Sequence, residues 1–400
     1  MPETSRSTLD LLRQQRLPAW QPILTPPLVV LGFAIVTIIF IPLGGMIAVT
    51  NKQAMEINVR YDDIQHCTRT HNTGEFTYEG NNMTYKTGCL TEVNFEIKET
   101  MRAPIYLYYG LTNFYQNHRR YSNSRSDAQL AGAVVRDIPD ASPLVVPGEI
   151  TSTTGTPITY GGNSDLHYKD FIYVPAGLIA WSMFNDTFTL YKKKDSTGAE
   201  PDLELICNGT DFSKKNNEPL GESISKNYCS KKGIAWETDV KERFKEPDLA
   251  TYHLFWTAAR DLYTGVNSSP PLSNDSFFNN GWYANELGHA IPVTTDEDLM
   301  VWMRTASLPK FRKLHRIIHK DLVPGKYVMK IGEHFDISSF GGTKSFSLAT
   351  LSWLGGKNNN LAVMYFSVGG IAALFAVILL VAYRIGGDRA SKAIEELVQK

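Results

Sequence analysis

Two long apolar segments frame the chain, one near each end. The first runs from Leu28 to Val49 and the second from Leu361 to Tyr383, and neither contains a charged residue. A helix that crosses a bilayer needs about 20 consecutive apolar residues, so each segment is long enough to span a membrane. The first segment is longer than the core of a signal peptide and no small-residue cleavage site follows it. The pattern therefore predicts two retained transmembrane helices.

The residues between these segments carry mainly strand signals. Met55–Tyr61 alternates polar and apolar residues, and three further segments are rich in β-branched and aromatic residues: Leu90–Ile97, Ile105–Tyr109 and Tyr327–Ile331. This part of the chain is long enough for one large domain with its own core. The sequence therefore predicts a β-rich domain tied to a membrane at both ends.

Helical periodicity within this domain is strongest over Thr294–Lys320. Thr294 and Glu297 have the spacing of a capping box, and Pro309 is expected to break or restart the helix. Beyond Pro309, apolar and basic residues separate onto two helical faces, which predicts a solvated basic face. The apolar set is Leu308, Phe311, Leu314 and Ile318, and the basic set is Lys310, Arg312, Lys313, Arg316 and Lys320.

Two other segments have their own predictions. In Gly110–Arg120, Leu111, Phe114, Tyr115 and His118 share one helical face, which favours a helix. Lys192–Gly233 is polar throughout, which favours an irregular, exposed insertion.

The cysteines and glycosylation signals indicate an oxidising compartment. The four cysteines form two pairs, and the members of each pair are 22 positions apart. All four cysteines and all five N-x-S/T acceptors lie between the apolar segments. Four cysteines allow three connectivities, of which local pairing costs least in loop closure and contributes about 3 kcal/mol per bridge. Four buried free thiols are the alternative. The residues are Cys67, Cys89, Cys207 and Cys229, and Asn82, Asn185, Asn208, Asn267 and Asn274.

These signals orient the chain in the membrane. They predict a cytoplasmic tail over residues 1–27, a span over 28–49, a lumenal or extracellular glycosylated ectodomain over 50–360, a span over 361–383 and a cytoplasmic tail over 384–400. The protein is then a multi-pass protein of the secretory pathway, in the endoplasmic reticulum, the Golgi or endosomes, or the plasma membrane. Its formal net charge of −1 gives no indication of a nucleic-acid partner.

Catalytic signatures are missing from the sequence. There is no phosphate loop, dinucleotide fingerprint, nucleophile elbow or zinc-protease motif, and Gly342–Ser345 has only a superficial likeness to a phosphate loop. His315 and His319 have i, i+4 spacing and could share a metal, but their basic neighbours favour a charged face. Glu286 and His289 have E-x-x-H spacing, but no second copy exists. We therefore predict no catalytic residues, no metal and no cofactor.

Six stretches carry a resemblance that runs through the whole chain. The sequence resembles the ligand-effect-modulator family, also called the cell-division-control-protein-fifty family, the β-subunits of type IV P-type ATPase lipid flippases. The matching stretches are RLPAWQPILT at Arg16–Thr25, YYGLTNFYQNHRRYSNSRSDAQLAG at Tyr108–Gly132, PAGLIAWSMFNDTF at Pro175–Phe188, GIAWETDVKERF at Gly233–Phe244, DLMVWMRTASLPKFRK at Asp298–Lys313 and GGTKSFSLATLSWLGGKN at Gly341–Asn358.

The resemblance implies a fold and a partner. The fold would be an antiparallel, sandwich-like β ectodomain with short helices, long loops and local disulfides. The chain would be a non-catalytic subunit that forms a heterodimer with a type IV P-type ATPase catalytic α-subunit. It would support folding of the complex, its exit from the endoplasmic reticulum and the transport of membrane phospholipids to the cytoplasmic leaflet. A free-standing two-span receptor or adhesion glycoprotein is the alternative.

The resemblance also suggests which residues contact the ATPase. From the residues alone, Arg16–Pro22 could be an interfacial aromatic anchor or a docking segment, and the resemblance favours docking. Two glycine-rich segments become candidates for contact with lumenal loops, and Pro42–Gly45 becomes a candidate bend in the first span. The predicted contact residues are Arg16, Leu17, Pro18, Trp20, Gln21, Pro22, Gly341, Gly342, Thr343, Lys344, Trp353, Gly355, Gly356 and Lys357.

Overall fold

The computed structural model describes most of the chain as two compact units. The described residues are 26–63, 68–78, 81–133, 137–145, 172–194, 202–221, 223–246, 255–256, 293–335 and 340–398, with single positions 13, 135, 170 and 337. One unit combines Met1–Ala54 with Ser352–Lys400, and the other is Met55–Leu351.

The described elements, in chain order, are as follows. The helices are α1 (Pro26–Gln53), α2 (Arg119–Asn123), α3 (Asp127–Leu130), α4 (Leu178–Trp181), α5 (Ser223–Lys226), α6 (Glu297–Met303) and α7 (Asn359–Val398). The strands are β1 (Glu56–Arg60), β2 (Thr68–Tyr78), β3 (Asn81–Ile97), β4 (Ile105–Leu111), β5 (Ile172–Tyr173), β6 (Thr187–Lys193), β7 (Leu203–Asn208), β8 (Cys229–Ser230), β9 (Phe255–Trp256), β10 (Phe311–Ile318), β11 (Gly325–Glu333) and β12 (Lys344–Thr350). A 3₁₀ turn covers Pro139–Ala141 and a π-helical turn covers Asp239–Arg243.

The first unit is a pair of packed apolar helices. Both predicted apolar segments form helices, within α1 and α7, and each helix is long and apolar enough to cross a membrane. The pair packs through rings and small residues: the Phe33 and Phe375 rings stack at 5.7 Å. A Cβ added at Gly44 would lie 3.2 Å from the Phe366 ring. Glycine at this position therefore permits the close approach of the two helices.

The second unit is a sandwich of two antiparallel sheets. One sheet has the order β1-β12-β4-β10-β8 and the other β2-β3-β11-β6-β7, with a separate parallel pair of β5 and β9. Aromatic side chains from both sheets meet in the core: Phe346 of β12 lies 5.7 Å from Phe95 of β3 and 6.5 Å from Phe188 of β6, centroid to centroid. The strands predicted over Met55–Tyr61, Leu90–Ile97, Ile105–Tyr109 and Tyr327–Ile331 are all confirmed.

The long helix predicted over Thr294–Lys320 is wrong. Only α6 is helical, and its N-cap is Asp296, whose side chain accepts a hydrogen bond from the Asp298 N–H at 2.8 Å, rather than Thr294. The part beyond Pro309 is the strand β10, which pairs with β4. Sheet pairing therefore overrides the helical spacing of the apolar residues, as tertiary context often does. The predicted solvated basic face is wrong for Lys313 and Arg316, which are both buried.

Two other local predictions are also wrong. Gly110–Arg120 is not one helix, because Gly110 and Leu111 extend β4 and only Arg119 and Arg120 enter α2. Pairing of β4 with two neighbouring strands fixes this conformation. Lys192–Gly233 is not irregular and exposed throughout: it contains β7, α5 and β8, and Ile206 and Lys231 are buried. Its polar composition hid an edge strand that completes the second sheet.

Candidate partner-contact site

Some of the predicted site residues lie outside the described residues. These are the Arg16–Pro22 segment, Cys67, Asn267, Asn274, Glu286 and His289. The backbone places Cys89 and Asn82 in β3.

A disulfide joins Cys207 of β7 to Cys229 of β8. This is the second of the two local pairings that the spacing favours. Because β7 is an edge strand of one sheet and β8 of the other, the bridge links the two layers of the sandwich at one side. Both cysteines are buried. The predicted polar insertion is thus held to the core by a covalent bond.

Two of the predicted glycosylation asparagines have described side chains. Asn185 is buried, with an exposed fraction of 7%. Asn208 is half-buried at the end of β7. Its Nδ2 donates to Asp211 Oδ2 at 2.7 Å, and its Oδ1 accepts from the Thr210 N–H at 3.0 Å.

The glycine-rich turn before β12 is clamped to the loop after β4. The Thr112 N–H donates to the Thr343 carbonyl at 3.1 Å, and the two hydroxyls lie 2.7 Å apart. A Cβ added at Gly342 would lie 2.5 Å from the Thr112 carbonyl oxygen, so only glycine fits this approach. Gly341 is exposed with a positive φ of 61°, which also favours glycine. The turn is therefore a fixed loop with Gly341 at the surface.

Lys344 at the end of this turn points into the protein. It is 2% exposed, and its Nζ lies 2.7 Å from Asp186 and 3.1 Å from Glu333. Its Nζ also donates to the Phe335 carbonyl at 3.0 Å. Burial alone would lower the pKa of Lys344, but the two carboxylates outweigh it and raise that pKa above its usual value. The Lys344 side chain therefore shapes the turn from within.

Asp186 is the centre of this buried cluster. Its carboxylate accepts from the Tyr61 hydroxyl at 2.7 Å and from the His334 and Phe335 N–H groups at 2.6 Å each. Burial, and next the Asp186 charge, raise the pKa of Tyr61 well above its usual value. The carboxylate thus joins the end of β1, the start of β6, the end of β11 and the start of β12. This role could not be predicted from the sequence, where Asp186 is simply the middle residue of the glycosylation signal Asn185–Thr187.

The second glycine-rich segment forms a tight turn that displays an aromatic ring. Ser352 and Gly355 exchange two backbone hydrogen bonds, at 2.8 and 2.9 Å. Gly355 has a φ of 105°, and no other atom lies within 4 Å of an added Cβ. Trp353 at the tip is 71% exposed, and Leu354 beside it is 40% exposed. A large apolar ring held outward by a short turn is typical of contact residues.

The histidine pair shows no metal geometry. His315 is buried in the sandwich, while the exposed His319 ring is hydrogen-bonded to Ser230 at 2.9 Å. Among the described residues, no group of three or more His, Cys, Asp or Glu side chains could hold a metal ion. The residue beside His315 has a structural role, since Arg316 forms an ion pair with Asp298 of α6 at 2.7 Å.

A second buried ionic cluster surrounds Asp298. Lys231 lies 2.6 Å from Asp296 and 3.2 Å from Asp298, so α6 is tied both to β10 and to the turn after β8. Burial would raise the pKa of Asp298, but Arg316 and Lys231 outweigh it and lower that pKa. Burial, and next Arg316, lower the pKa of His315 well below its usual value. This cluster fixes α6 in the fold, and nothing in the sequence pattern predicted it.

Comparison with known proteins identifies the family. Residues 47–389 match the model of a protein family described as the LEM3 (ligand-effect modulator 3) family / CDC50 family. The chain is 35% identical over 388 residues to Cell cycle control protein 50A of Mus musculus, covering 95% of this chain and 89% of the relative. It is 34% identical to ALA-interacting subunit 3 of Arabidopsis thaliana over 391 residues, 96% of this chain and 87% of the relative.

A yeast relative has a more explicit name. The chain is 30% identical to the Phospholipid-transporting ATPase accessory subunit LEM3 of Saccharomyces cerevisiae over 409 aligned residues, 96% of this chain and 85% of the relative. The family match covers the end of the first apolar helix, the whole of the β-sandwich and the second apolar helix as far as residue 389. The chain belongs to the LEM3/CDC50 family.

Proposed function

We propose that this chain is a non-catalytic accessory subunit of a phospholipid-transporting type IV P-type ATPase. The observation that carries the proposal is the match to a relative named as such an accessory subunit, over 96% of this chain. The chain supports folding of the ATPase, its exit from the endoplasmic reticulum and the movement of phospholipids to the cytoplasmic leaflet. ATP hydrolysis belongs to the other subunit.

The layout of the chain suits this role. The two apolar helices anchor the subunit beside the ATPase in the membrane, with residues 1–27 and 384–400 in the cytoplasm. The sandwich faces the lumen or the exterior, where disulfides form and asparagines are glycosylated. The cysteine pair that is bonded, Cys207 and Cys229, and the sequons at Asn82, Asn185, Asn208, Asn267 and Asn274 support this orientation.

The predicted contact residues differ in exposure. Gly341, Trp353 and Lys357 are exposed and contact the ATPase, together with the half-buried Gly355 and Gly356. Lys344 is buried, so it holds the first turn in shape. Arg16–Pro22 docks on the cytoplasmic side of the ATPase.

Co-purification tests the proposal. The full-length chain is expressed with an epitope tag in cells, solubilised in mild detergent and purified, and its partners are identified by mass spectrometry. We expect a stoichiometric type IV P-type ATPase whose lipid-stimulated ATP hydrolysis is lost when this chain is depleted. A monodisperse lone chain, as expected of a free-standing receptor, would contradict it. A glycosidase that removes N-linked glycans tests the orientation. It should lower the mass of the wild-type chain and leave unchanged the mass of a variant in which all five sequons are mutated.

A further inference from the structure

A preformed groove of about 650 Å³ lies along the outer edge of β10. It is lined by the Arg312–Leu314 part of that strand, by the Gly233–Trp236 turn and by Met300 of α6. Trp236 is 67% exposed at the rim. Its lining is mainly apolar, which is typical of sites that receive a side chain. We call this feature the edge groove.

The edge of β10 in the groove has free backbone groups. β8 pairs with β10 only at Ile317 and Ile318. Because the Thr112 N–H donates to the carbonyl of Thr343, the residue just before β12, the alternation of an antiparallel ladder turns Tyr109 and Leu111 toward β10. Their partners Lys313 and Phe311 then face β4.

The neighbouring residues of β10 must face the other way. Arg312 and Leu314 direct their N–H and C=O groups to the open side, toward the edge groove. β8 does not reach these two residues, and outside the strand ladders no backbone group in the described part of the chain is hydrogen-bonded to them. An exposed strand edge of this kind is a template for pairing with another extended chain.

The wall opposite this edge is rigidly held. The Glu297 carboxylate accepts from the Gly233 N–H at 2.8 Å and from the Ala235 N–H at 3.0 Å. The Arg304 guanidinium lies 5.3 Å from the centroid of the Trp236 ring and is also paired with Asp239. These contacts hold the wall away from the strand edge, so the groove exists before any ligand arrives, which lowers the cost of binding.

The exposed charge along the groove is positive. The side chains of Arg304 and Arg312 are 45% and 42% exposed, whereas their partners Asp239 and Glu56 are 1% and 22% exposed. Lys310, just before β10, is exposed and pairs with no carboxylate among the described residues. Glu237 also lines the groove and is 78% exposed, but Lys241, which is 65% exposed, pairs with it, so the exposed cations still outnumber the exposed carboxylates. Charge complementarity therefore favours an acidic ligand.

We propose that the edge groove binds an extended, acidic segment of the catalytic subunit's extracytosolic loops, which adds a strand to the open edge of β10. The proposal rests on the accessory-subunit function proposed above. Main-chain hydrogen bonds to Arg312 and Leu314 supply affinity, an apolar side chain enters the groove beside Trp236, and a carboxylate meets the cations at the rim. This is the mode of recognition known as β-augmentation.

Hydrogen exchange tests the strand addition directly. The amides of Arg312 and Leu314 are followed by mass spectrometry in the full-length chain alone and in its complex with the ATPase. We expect exchange at both amides to slow by about tenfold or more in the complex, because they become hydrogen-bonded. Amides of Phe311 and Lys313, already paired with β4, are the internal control. Equal exchange of the Arg312 and Leu314 amides in both samples would overturn the proposal.

Photo-crosslinking identifies the occupant. A Trp236→p-benzoylphenylalanine substitution in the full-length chain is expected to crosslink to an acidic extracytosolic segment of the ATPase. The same substitution at Ile224, which is 71% exposed on α5, is the matched control and should not capture that segment. Crosslinking of position 236 only within the chain, or to a second copy, while the ATPase co-purifies, would overturn the groove proposal alone. Absence of any ATPase from the wild-type preparation would overturn the proposed function and the groove proposal with it.

A charge reversal completes the test. We expect Lys310→Glu combined with Arg312→Glu to weaken recovery of the ATPase by about tenfold, because carboxylates would then face an acidic segment. Lys326→Glu, on an exposed lysine of β11 in the other sheet, is the control and should leave recovery unchanged. Equal recovery with both variants would contradict an acidic ligand.

Discussion

The two glycine-rich turns proposed to contact the ATPase are built in opposite ways. The turn at Gly341–Lys344 is held from inside, by hydrogen bonds to Thr112 and by a buried ammonium between two carboxylates. The turn at Ser352–Gly355 has two backbone hydrogen bonds of its own and an exposed tryptophan. The two turns have similar glycine-rich sequences but different roles. The shape of the Gly341–Lys344 turn depends on the core, whereas the Ser352–Gly355 turn has a surface that is available for contact.

The largest effect is expected from removing the buried ammonium. Lys344→Met leaves Asp186 and Glu333 facing each other in the interior without a cation. Breaking a buried ion pair on one side costs about 3–5 kcal/mol, so we expect the free energy of unfolding to fall by that amount. Thermal unfolding of the full-length chain in detergent measures it. Lys326→Met, on an exposed lysine, is the control, and an equal midpoint for both variants would mean that the cluster does not hold the turn.

A substitution in the exposed Ser352–Gly355 turn should lower the affinity for the ATPase and leave the stability of the chain almost unchanged. Trp353→Ala removes a ring that is 71% exposed, so the free energy of unfolding should change by less than about 0.5 kcal/mol. If Trp353 is a contact with the ATPase, affinity should fall by about 2 kcal/mol, roughly thirtyfold. Titrated co-purification and a melting curve of the same variant separate the two effects. Loss of stability without loss of affinity would reverse the contrast between the turns.

A pair of alanine substitutions compares the backbones of the two turns. Gly342→Ala places a Cβ 2.5 Å from the Thr112 carbonyl and against the Phe340 ring, so we expect a cost of about 1–3 kcal/mol. Gly355→Ala meets no atom within 4 Å and is strained only by its φ of 105°, which costs about 1 kcal/mol. Differential scanning fluorimetry of both variants gives the order. A larger cost at Gly355 would show that the first turn can relax away from Thr112.

The sequence predicted what local patterns control. Length and hydrophobicity were sufficient for α1 and α7, alternation was sufficient for β1, and β-branched and aromatic content was sufficient for β4. In β10 the alternation is broken by a register shift between Leu314 and Arg316, which leaves His315 and Arg316 both buried. That irregularity, with apolar residues three and four positions apart, gave the strand the pattern of a helix.

The interior of the site could not be predicted in the same way. The burial of Lys344 depends on Asp186 and Glu333, which are distant in sequence and reach it only through the pairing of β11 with β6 and the packing of the sheets. A lysine in a glycine-rich turn is usually exposed. The edge groove was also invisible, because it depends on which edge of β10 remains unpaired.

The smallest expected effect is the pH dependence of the free energy of unfolding, and neither turn should contribute to it near neutral pH. The Ser352–Gly355 backbone turn contains no ionisable side chain. The pKa of Lys344 is raised above its usual value of 10.5, so the stability that it contributes is fully present below that value and is lost only as pH rises through the folded pKa. The pKa of Asp298 is lowered from 3.8, so its contribution is present above that value and is lost as pH falls further. Both contributions are therefore constant between pH 5 and 8.

His315, unlike Lys344 and Asp298, makes the free energy of unfolding depend on pH between pH 5 and 8. Its pKa is lowered well below 6.5 by burial and next by Arg316, so the ring stays neutral in the folded chain, while the unfolded chain binds a proton below pH 6.5. The unfolded state then binds more protons, and stability must fall as pH falls, by about 1 kcal/mol between pH 7 and pH 5.5. Denaturant unfolding of the full-length chain at both pH values measures this difference. His315→Gln should remove most of it, leaving the smaller contribution of Lys313, whose pKa burial lowers to about 7. His319→Gln, on an exposed ring, should leave the difference intact. If the full difference survives in His315→Gln, other groups cause it. The pH independence expected of the Gly341–Lys344 turn would then have to be tested in a variant of Lys344 itself.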